Sequence, residues 1–159
     1  ALKASGITYT ILRNGWYTEN YTASIPAALA NNAFYGSAKN GKISSVLRAE
    51  LAEAAVNVAL SEGHENQTYE LAGSTSWTLA DLAAEISKQT GKDIPYVDIP
   101  AADYTAALVQ AGLDEGFAGL IAQWDVDASN GALFSEDKTI EKLLGRPTAG
   151  LDVAVKQAL

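Results

Sequence analysis

The run Ile7-Thr8-Tyr9-Thr10-Ile11-Leu12-Arg13-Asn14-Gly15-Trp16-Tyr17-Thr18-Glu19-Asn20-Tyr21 divides into two parts of different chemistry. The first six residues are β-branched, aromatic or aliphatic and follow a Ser-Gly break. They predict a strand over Ile7–Leu12 with Ile7, Tyr9 and Ile11 on one face. The remainder carries aromatic side chains, two Asn and a Gly. In doubly wound sheets ligands lie beyond the carboxyl ends of strands, so this loop stands where a site belongs. Aromatic faces stack on flat rings, Asn amides donate and accept, and Gly15 lets the backbone approach a ligand closely. The alternative is that Trp16, Tyr17 and Tyr21 are core aromatics and Asn14-Gly15 is a turn. The segment holds no nucleophile or acid–base pair with a mid-range pKa, so it suits orientation and polarisation beside a cofactor.

Outward from this run the pattern alternates strand and helix. Ile25-Pro26-Ala27-Ala28-Leu29-Ala30 predicts a short helix with Pro in its first turn. Phe34-Tyr35-Gly36 and Lys42-Ile43-Ser44 flank the turn pair Asn40-Gly41, which predicts a hairpin. Leu47, Leu51, Ala54, Ala55, Val58 and Ala59 recur at helical spacing over 48–60. Thr68–Leu71 predicts a second strand. Thr78 with Asp81 three residues on predicts a capped helix, with Leu79, Leu82, Ala83 and Ile86 as its apolar face and Thr90-Gly91 as its end. Ile94–Val97 predicts an edge strand, because Pro95 cannot donate to a ladder. Helices over 102–111, 115–129, 137–144 and 151–158 complete the chain. The fold class is therefore α/β: the carboxyl-terminal part of a Rossmann-like, doubly wound fold with few strands and an incomplete sheet, plus a small, mostly helical lobe.

Bulk composition narrows the function. A chain of 159 residues, 48% hydrophobic and 19% charged, builds one domain or one domain with a small lobe. Its net charge of −8 argues against nucleic acid and anionic membrane as partners. No apolar run approaches a bilayer span and the first residues are not a signal peptide, so a cytoplasmic location is expected. The absence of Cys removes disulfides and thiolate chemistry, and the single His64, in a polar loop, reads as solvated rather than metal-bound.

Three other patterns fail on their chemistry. Gly36–Lys42 has phosphate-loop spacing, but Ile43 stands where a Ser or Thr hydroxyl is needed. Tyr35-x-x-x-Lys39 needs a helix to present both side chains on one face, and Gly36 and Asn40-Gly41 oppose one. Asp125 and Asp127 lie two apart in a helix, point to different faces, and read as surface charge.

The run Ser5–Tyr21 resembles the NmrA-like group of atypical short-chain dehydrogenases, and most closely the type 2 NAD(P)H:quinone oxidoreductases. The resemblance continues through Val46–Ala52, Thr68–Gly73, Trp77–Leu79 and Leu143–Thr148. It implies a parent enzyme in which reduced NADP or NAD gives hydride to a quinone-like acceptor. It assigns residues 1–72 to the remnant of a dinucleotide-binding domain and 73–159 to a substrate-side lobe. Asn20 matches the Asn implicated in hydride transfer, Asn14, Gly15, Trp16 and Tyr17 match the loop lining the cofactor ring, and Tyr21 borders the quinone pocket. The family's Gly-x-x-Gly-x-x-Gly turn, which holds the pyrophosphate, does not occur in these 159 residues. The chain alone is therefore expected to be inactive, to bind the dinucleotide weakly, and to form a homodimer through an exposed sheet edge. A non-catalytic redox sensor that binds a protein partner is the alternative within the same group.

Overall fold

In the computed structural model, which describes residues 1–159, β1 (Thr10–Asn14) runs parallel to β3 (Gln67–Leu71), with Thr10 opposite Gln67 and Asn14 opposite Leu71. A second parallel pair joins β2 (Phe34–Gly36) to β4 (Tyr96–Asp98). Each pair skips a strand in sequence, so every connection is a crossover through helices. This is the α/β architecture the alternating pattern predicts. The strand drawn over Ile7–Leu12 lies three residues later than that. Ile7 is exposed and Asn66 donates to the Tyr9 carbonyl, while Arg13 and Asn14 continue the ladder, so the site loop begins at Gly15.

The expected hairpin does not form. Phe34–Gly36 pairs with β4, and Ile43 makes an isolated antiparallel bridge to Trp77 instead of returning along β2. Burial explains the preference: Phe34, Ala38 and Ile43 all enter the core, which a solvent-facing hairpin could not achieve.

The helices are α1 (Glu19–Thr22), α2 (Ile25–Asn31), α3 (Arg48–Leu60), α4 (Leu79–Thr90), α5 (Ala101–Gln110), α6 (Glu115–Ser129), α7 (Thr139–Leu144) and α8 (Leu151–Ala158). Helix α4 follows its sequence signature. Thr78 Oγ1 accepts from the Asp81 amide, the Asp81 carboxylate accepts from the Thr78 amide, and Gly91 closes the helix in the left-handed conformation at φ 69°. Its apolar face, Leu79, Leu82, Ala83 and Ile86, enters the main core with Tyr21, Ile25, Phe34, Trp77 and Val155. A smaller core of Val46, Leu51, Ala54, Leu71 and Ile140 lies between α3, α7 and β3.

Polar clamps tie the end of the chain to this frame. Buried Glu50 accepts from the Arg146 guanidinium at 2.6 Å and from the Ala149 amide at 2.9 Å. Ser74 and Thr148 exchange reciprocal amide-to-hydroxyl bonds of 2.9 and 2.7 Å. With these in place α8 packs against α4 and buries Val155.

Leu82 is fully buried and Leu60 is 83% exposed, so truncating each separates core packing from surface. Leu82→Ala should lower unfolding free energy by about 2–5 kcal/mol and Leu60→Ala by less than about 0.5 kcal/mol, measured by urea denaturation. Equal effects would contradict this core assignment.

Candidate functional site

The site loop is held by main-chain bonds on both sides. The Gly15 amide donates to the Leu71 carbonyl at 2.9 Å, extending the β1–β3 ladder by one residue. A Cβ on Gly15 would stand 2.5 Å from that carbonyl oxygen, so only glycine allows the approach. Val46 then donates to the Trp16 carbonyl at 2.9 Å, Thr18 donates to the Val46 carbonyl at 3.0 Å, and Thr18 Oγ1 lies 2.7 Å from Ser45 Oγ. With its backbone fixed between β3 and the 43–46 segment, Trp16 stands between two cavities and lines both.

The first cavity, about 560 Å³, is mostly apolar. Trp16, Tyr21, Leu79, Phe117, Trp124 and Tyr104 line it, and α5 and α6 pack together to form its outer wall. Trp16 meets Trp124 edge to face at 5.2 Å, and Tyr21 meets Trp77 in the same manner at 5.3 Å. Asn20, Glu19 and Arg48 add polar groups. The second cavity, about 520 Å³, is more polar and lies past the carboxyl ends of β1 and β3. Arg13, Asn14, Gly15, Trp16, Leu71 and Ser135 border it. A polar cleft at strand ends beside an apolar chamber suits a dinucleotide head next to a flat acceptor.

The sequence-derived candidates therefore separate. Asn14, Gly15 and Trp16 share the polar cleft, whereas Asn20 and Tyr21 stand with Trp16 at the apolar cavity. Tyr17 lies in neither and borders a separate shallow depression with Arg48, whose guanidinium sits 5.0 Å from its ring. Asn20 is exposed on α1, and its Oδ1 accepts from Arg48 Nη2 at 3.4 Å. Because a guanidinium only donates, the amide nitrogen of Asn20 is left free to donate elsewhere. Trp16 Nε1, Tyr21 Oη and Glu19 Oε2 are buried without hydrogen-bond partners, and all three side chains line the apolar cavity. Unpaired buried polar atoms are costly, and these three are sealed behind the cavity lining.

Asp125, expected at the surface from its spacing to Asp127, is instead 3% exposed and lines the apolar cavity. Helix α6 buries one face, on which Asp125 lies with Ala118, Ala122 and Ala128. Its Oδ2 accepts from the Ser37 amide at 2.8 Å. Burial foremost, with the Asp98 carboxylate adding to it, pushes the Asp125 carboxyl up to about 6 against the pull of that amide. Burial, and then the charge of Asp125, raise the Tyr21 and Tyr104 phenols above their ordinary values.

The loop with phosphate-loop spacing is filled from within. The Ser37, Ala38 and Lys39 amides donate to Asp125, to the Tyr96 hydroxyl and to Asp98, at 2.8, 3.1 and 2.8 Å. His64 is tethered, its ring nitrogens 2.9 Å from Ser61 Oγ and 2.7 Å from the Tyr69 hydroxyl, and it lines neither cavity.

No family model matches the chain. Known proteins do. The chain is 52% identical over 154 residues to Escherichia coli quinone oxidoreductase 2, covering 97% of this chain and 54% of that protein. An uncharacterized Haemophilus influenzae protein is 52% identical over 122 residues, 77% of this chain and 70% of that one. The crystal structure of the Escherichia coli NADPH-dependent quinone oxidoreductase complexed with NADPH matches at a TM-score of 0.93 and 51% identity, over 98% of this chain and 55% of that one. Citrobacter sp. triphenylmethane reductase complexed with NADP(H) matches at 0.94 and 34%, over 99% and 55%. The chain thus spans about half the length of the Escherichia coli and Citrobacter proteins.

Gly15→Ala should push the loop off the Leu71 carbonyl, lower stability by about 1–3 kcal/mol and shift the Trp16 emission. Unchanged denaturation midpoint and emission would show that the loop is not held by this approach.

Proposed function

The chain belongs to the NmrA-like oxidoreductases, in the branch that includes Escherichia coli quinone oxidoreductase 2, and on that premise we propose that it forms the nicotinamide- and acceptor-facing part of an NAD(P)H-dependent reductase of quinone-type compounds. The observation that carries the reading is Trp16, which forms a wall common to the polar cleft and the apolar cavity. Residues 1–72 supply the cleft through Asn14, Gly15 and Trp16, with Tyr17 supporting the loop from behind. Residues 73–159 supply the acceptor wall through Phe117, Trp124 and Asp125.

The residues fit the cofactor on one specific ground. The cleft opens at the ends of two parallel strands, and Gly15, held against the Leu71 carbonyl, borders it with Asn14 and Trp16. A bound reduced nicotinamide would supply hydride. Asn14, Gly15 and Trp16 orient its ring toward the apolar cavity, and Asn20 donates from its free amide nitrogen to an acceptor oxygen, stabilising the negative charge that develops there. Tyr21 and Trp16 line the same cavity with their aromatic rings. Phe117, Trp124 and Leu79 exclude water and favour a flat, uncharged ring.

The chain by itself binds the dinucleotide weakly, because it has no glycine-rich turn to hold the pyrophosphate. The free edge of β1, opposite β3, is the surface through which two copies pair.

Titrating the chain with 2-methyl-1,4-naphthoquinone should quench tryptophan emission saturably, and Asn20→Ala should weaken binding about fivefold, the worth of one hydrogen bond of about 1 kcal/mol. NADPH and NADH should give no saturable change at micromolar concentration. A quinone that does not bind contradicts the acceptor assignment. Micromolar dinucleotide binding without any quinone binding favours the sensor.

A further inference from the structure

Asp125 has no part in the reading above beyond lining the cavity, and its position is unusual for a carboxyl group. It is almost wholly buried in an apolar wall with Leu79, Tyr104, Phe34 and Trp124, and no Lys, Arg or His is bonded to it. Only Oδ2 is engaged, by the Ser37 amide; Oδ1 makes no hydrogen bond within the protein and is not among the sealed, partnerless atoms. Gly36 makes room for this arrangement, since a Cβ there would stand 2.7 Å from Asp125 Oδ2. A carboxyl group walled off from cations favours its neutral, proton-bearing form.

We propose that Asp125 is the acid of the apolar cavity: when protonated it hydrogen-bonds a carbonyl oxygen of the bound quinone-type acceptor and gives up that proton to complete reduction to the hydroquinone. The inference rests on the acceptor reading of the cavity. Two electrons and one hydrogen reach the acceptor as hydride from the reduced dinucleotide, leaving one ring oxygen with a full negative charge. The Asp125 O–H bond breaks and a new O–H bond forms on that oxygen. The carboxylate left behind is held by the Ser37 N–H and regains a proton from water through the cavity mouth. A quinone needs one proton besides the hydride, and Asp125 is the group of the apolar cavity placed to keep one near neutral pH. Tyr21 and Tyr104 are pushed further from neutrality and keep their protons.

The groups that face Asp125 are few. Asp98 and Tyr96 approach from β4, Tyr21 from α1 and Tyr104 from α5, while Ser37 contributes its amide after β2. Glu19 and Arg48 are the other charged residues of the cavity, and Asp127 on the same helix is engaged by Gln123 at 2.9 Å.

The test is the affinity of the full chain for 2-methyl-1,4-naphthoquinone as a function of pH, read by tryptophan fluorescence with no dinucleotide present. A carboxyl that must be protonated to donate, with its pKa near 6, lowers the affinity about tenfold between pH 5 and pH 7. Asp125→Asn keeps a donor and an acceptor in place, so its affinity should be flat over that range. In the unmodified chain, infrared spectroscopy with 13C-labelled aspartate should show a protonated carboxyl band that disappears with the same midpoint and shifts when the quinone binds. This second measurement holds even if the variant fails to fold. A flat profile in the unmodified chain, or a pH dependence retained in Asp125→Asn and so owed to Glu19 or another group, overturns the role of Asp125 while leaving the acceptor site standing. Absence of quinone binding at pH 5 in the unmodified chain overturns both.

Discussion

The amide ladder around Gly15–Thr18 is the constraint on which the site depends. Leu71 on one side and Val46 on the other take up the loop's main-chain groups, so the loop has little freedom to relax. A side chain carried on such a backbone keeps its orientation whether or not a ligand is present, which lowers the ordering cost of binding. Trp16 is positioned this way, and its edge-to-face contact with Trp124 couples the loop to α6. The 43–46 segment performs the bracing. It bonds to the loop through Val46 and Ser45, to Trp77 through Ile43, and to the 133–135 segment through Ser44. One extended stretch thereby connects the loop, the start of α4 and the chain beyond α6.

The carboxylates divide into those that build the frame and those that line the cavity, Glu19 and Asp125. Glu50 is buried with a guanidinium and an amide to satisfy it, which is the usual condition for a buried charge. Asp98 is exposed and accepts from both Lys39 and Tyr96. Asp125 has a single amide donor and apolar walls. The difference follows from secondary structure: Asp125 sits on the small-residue face of α6, which approaches β2 closely, and Gly36 removes the side chain that would have held it off.

Much of the frame is legible in the sequence where local chemistry and burial agree. Helix α4 carries both halves of a capping box, a glycine stop and a single apolar face, and it forms with those limits. Helix α3 follows its apolar spacing, although its buried Glu50 and the reach of Arg146 depend on residues almost a hundred positions apart, which no local pattern reports. The turn pair Asn40-Gly41 is a strong hairpin signal that loses to tertiary burial of Phe34 and Ile43. The strand boundary moved because Arg13 and Asn14, polar in sequence, still ladder with Glu70 and Leu71. For the site, the Arg13–Tyr21 run pointed to the right region, but it could not separate Tyr17 from Trp16, since adjacent residues leave a backbone on different sides. Acids spaced along a helix usually face solvent, whereas Asp125 lies on the alanine-rich face it shares with Ala118, Ala122 and Ala128, and that face is its signal in the sequence.

In the proposed function the aromatic cavity between Trp16, Tyr21 and Trp124 receives the flat acceptor. A crystal structure of the chain grown with 2-methyl-1,4-naphthoquinone tests it most directly. The quinone ring is expected in that cavity, with one carbonyl oxygen toward Asp125 and a ring face toward the Trp16 side of the polar cleft. A ring bound at the strand-end cleft beside Arg13 and Asn14, with the aromatic cavity empty at saturating ligand, would contradict it.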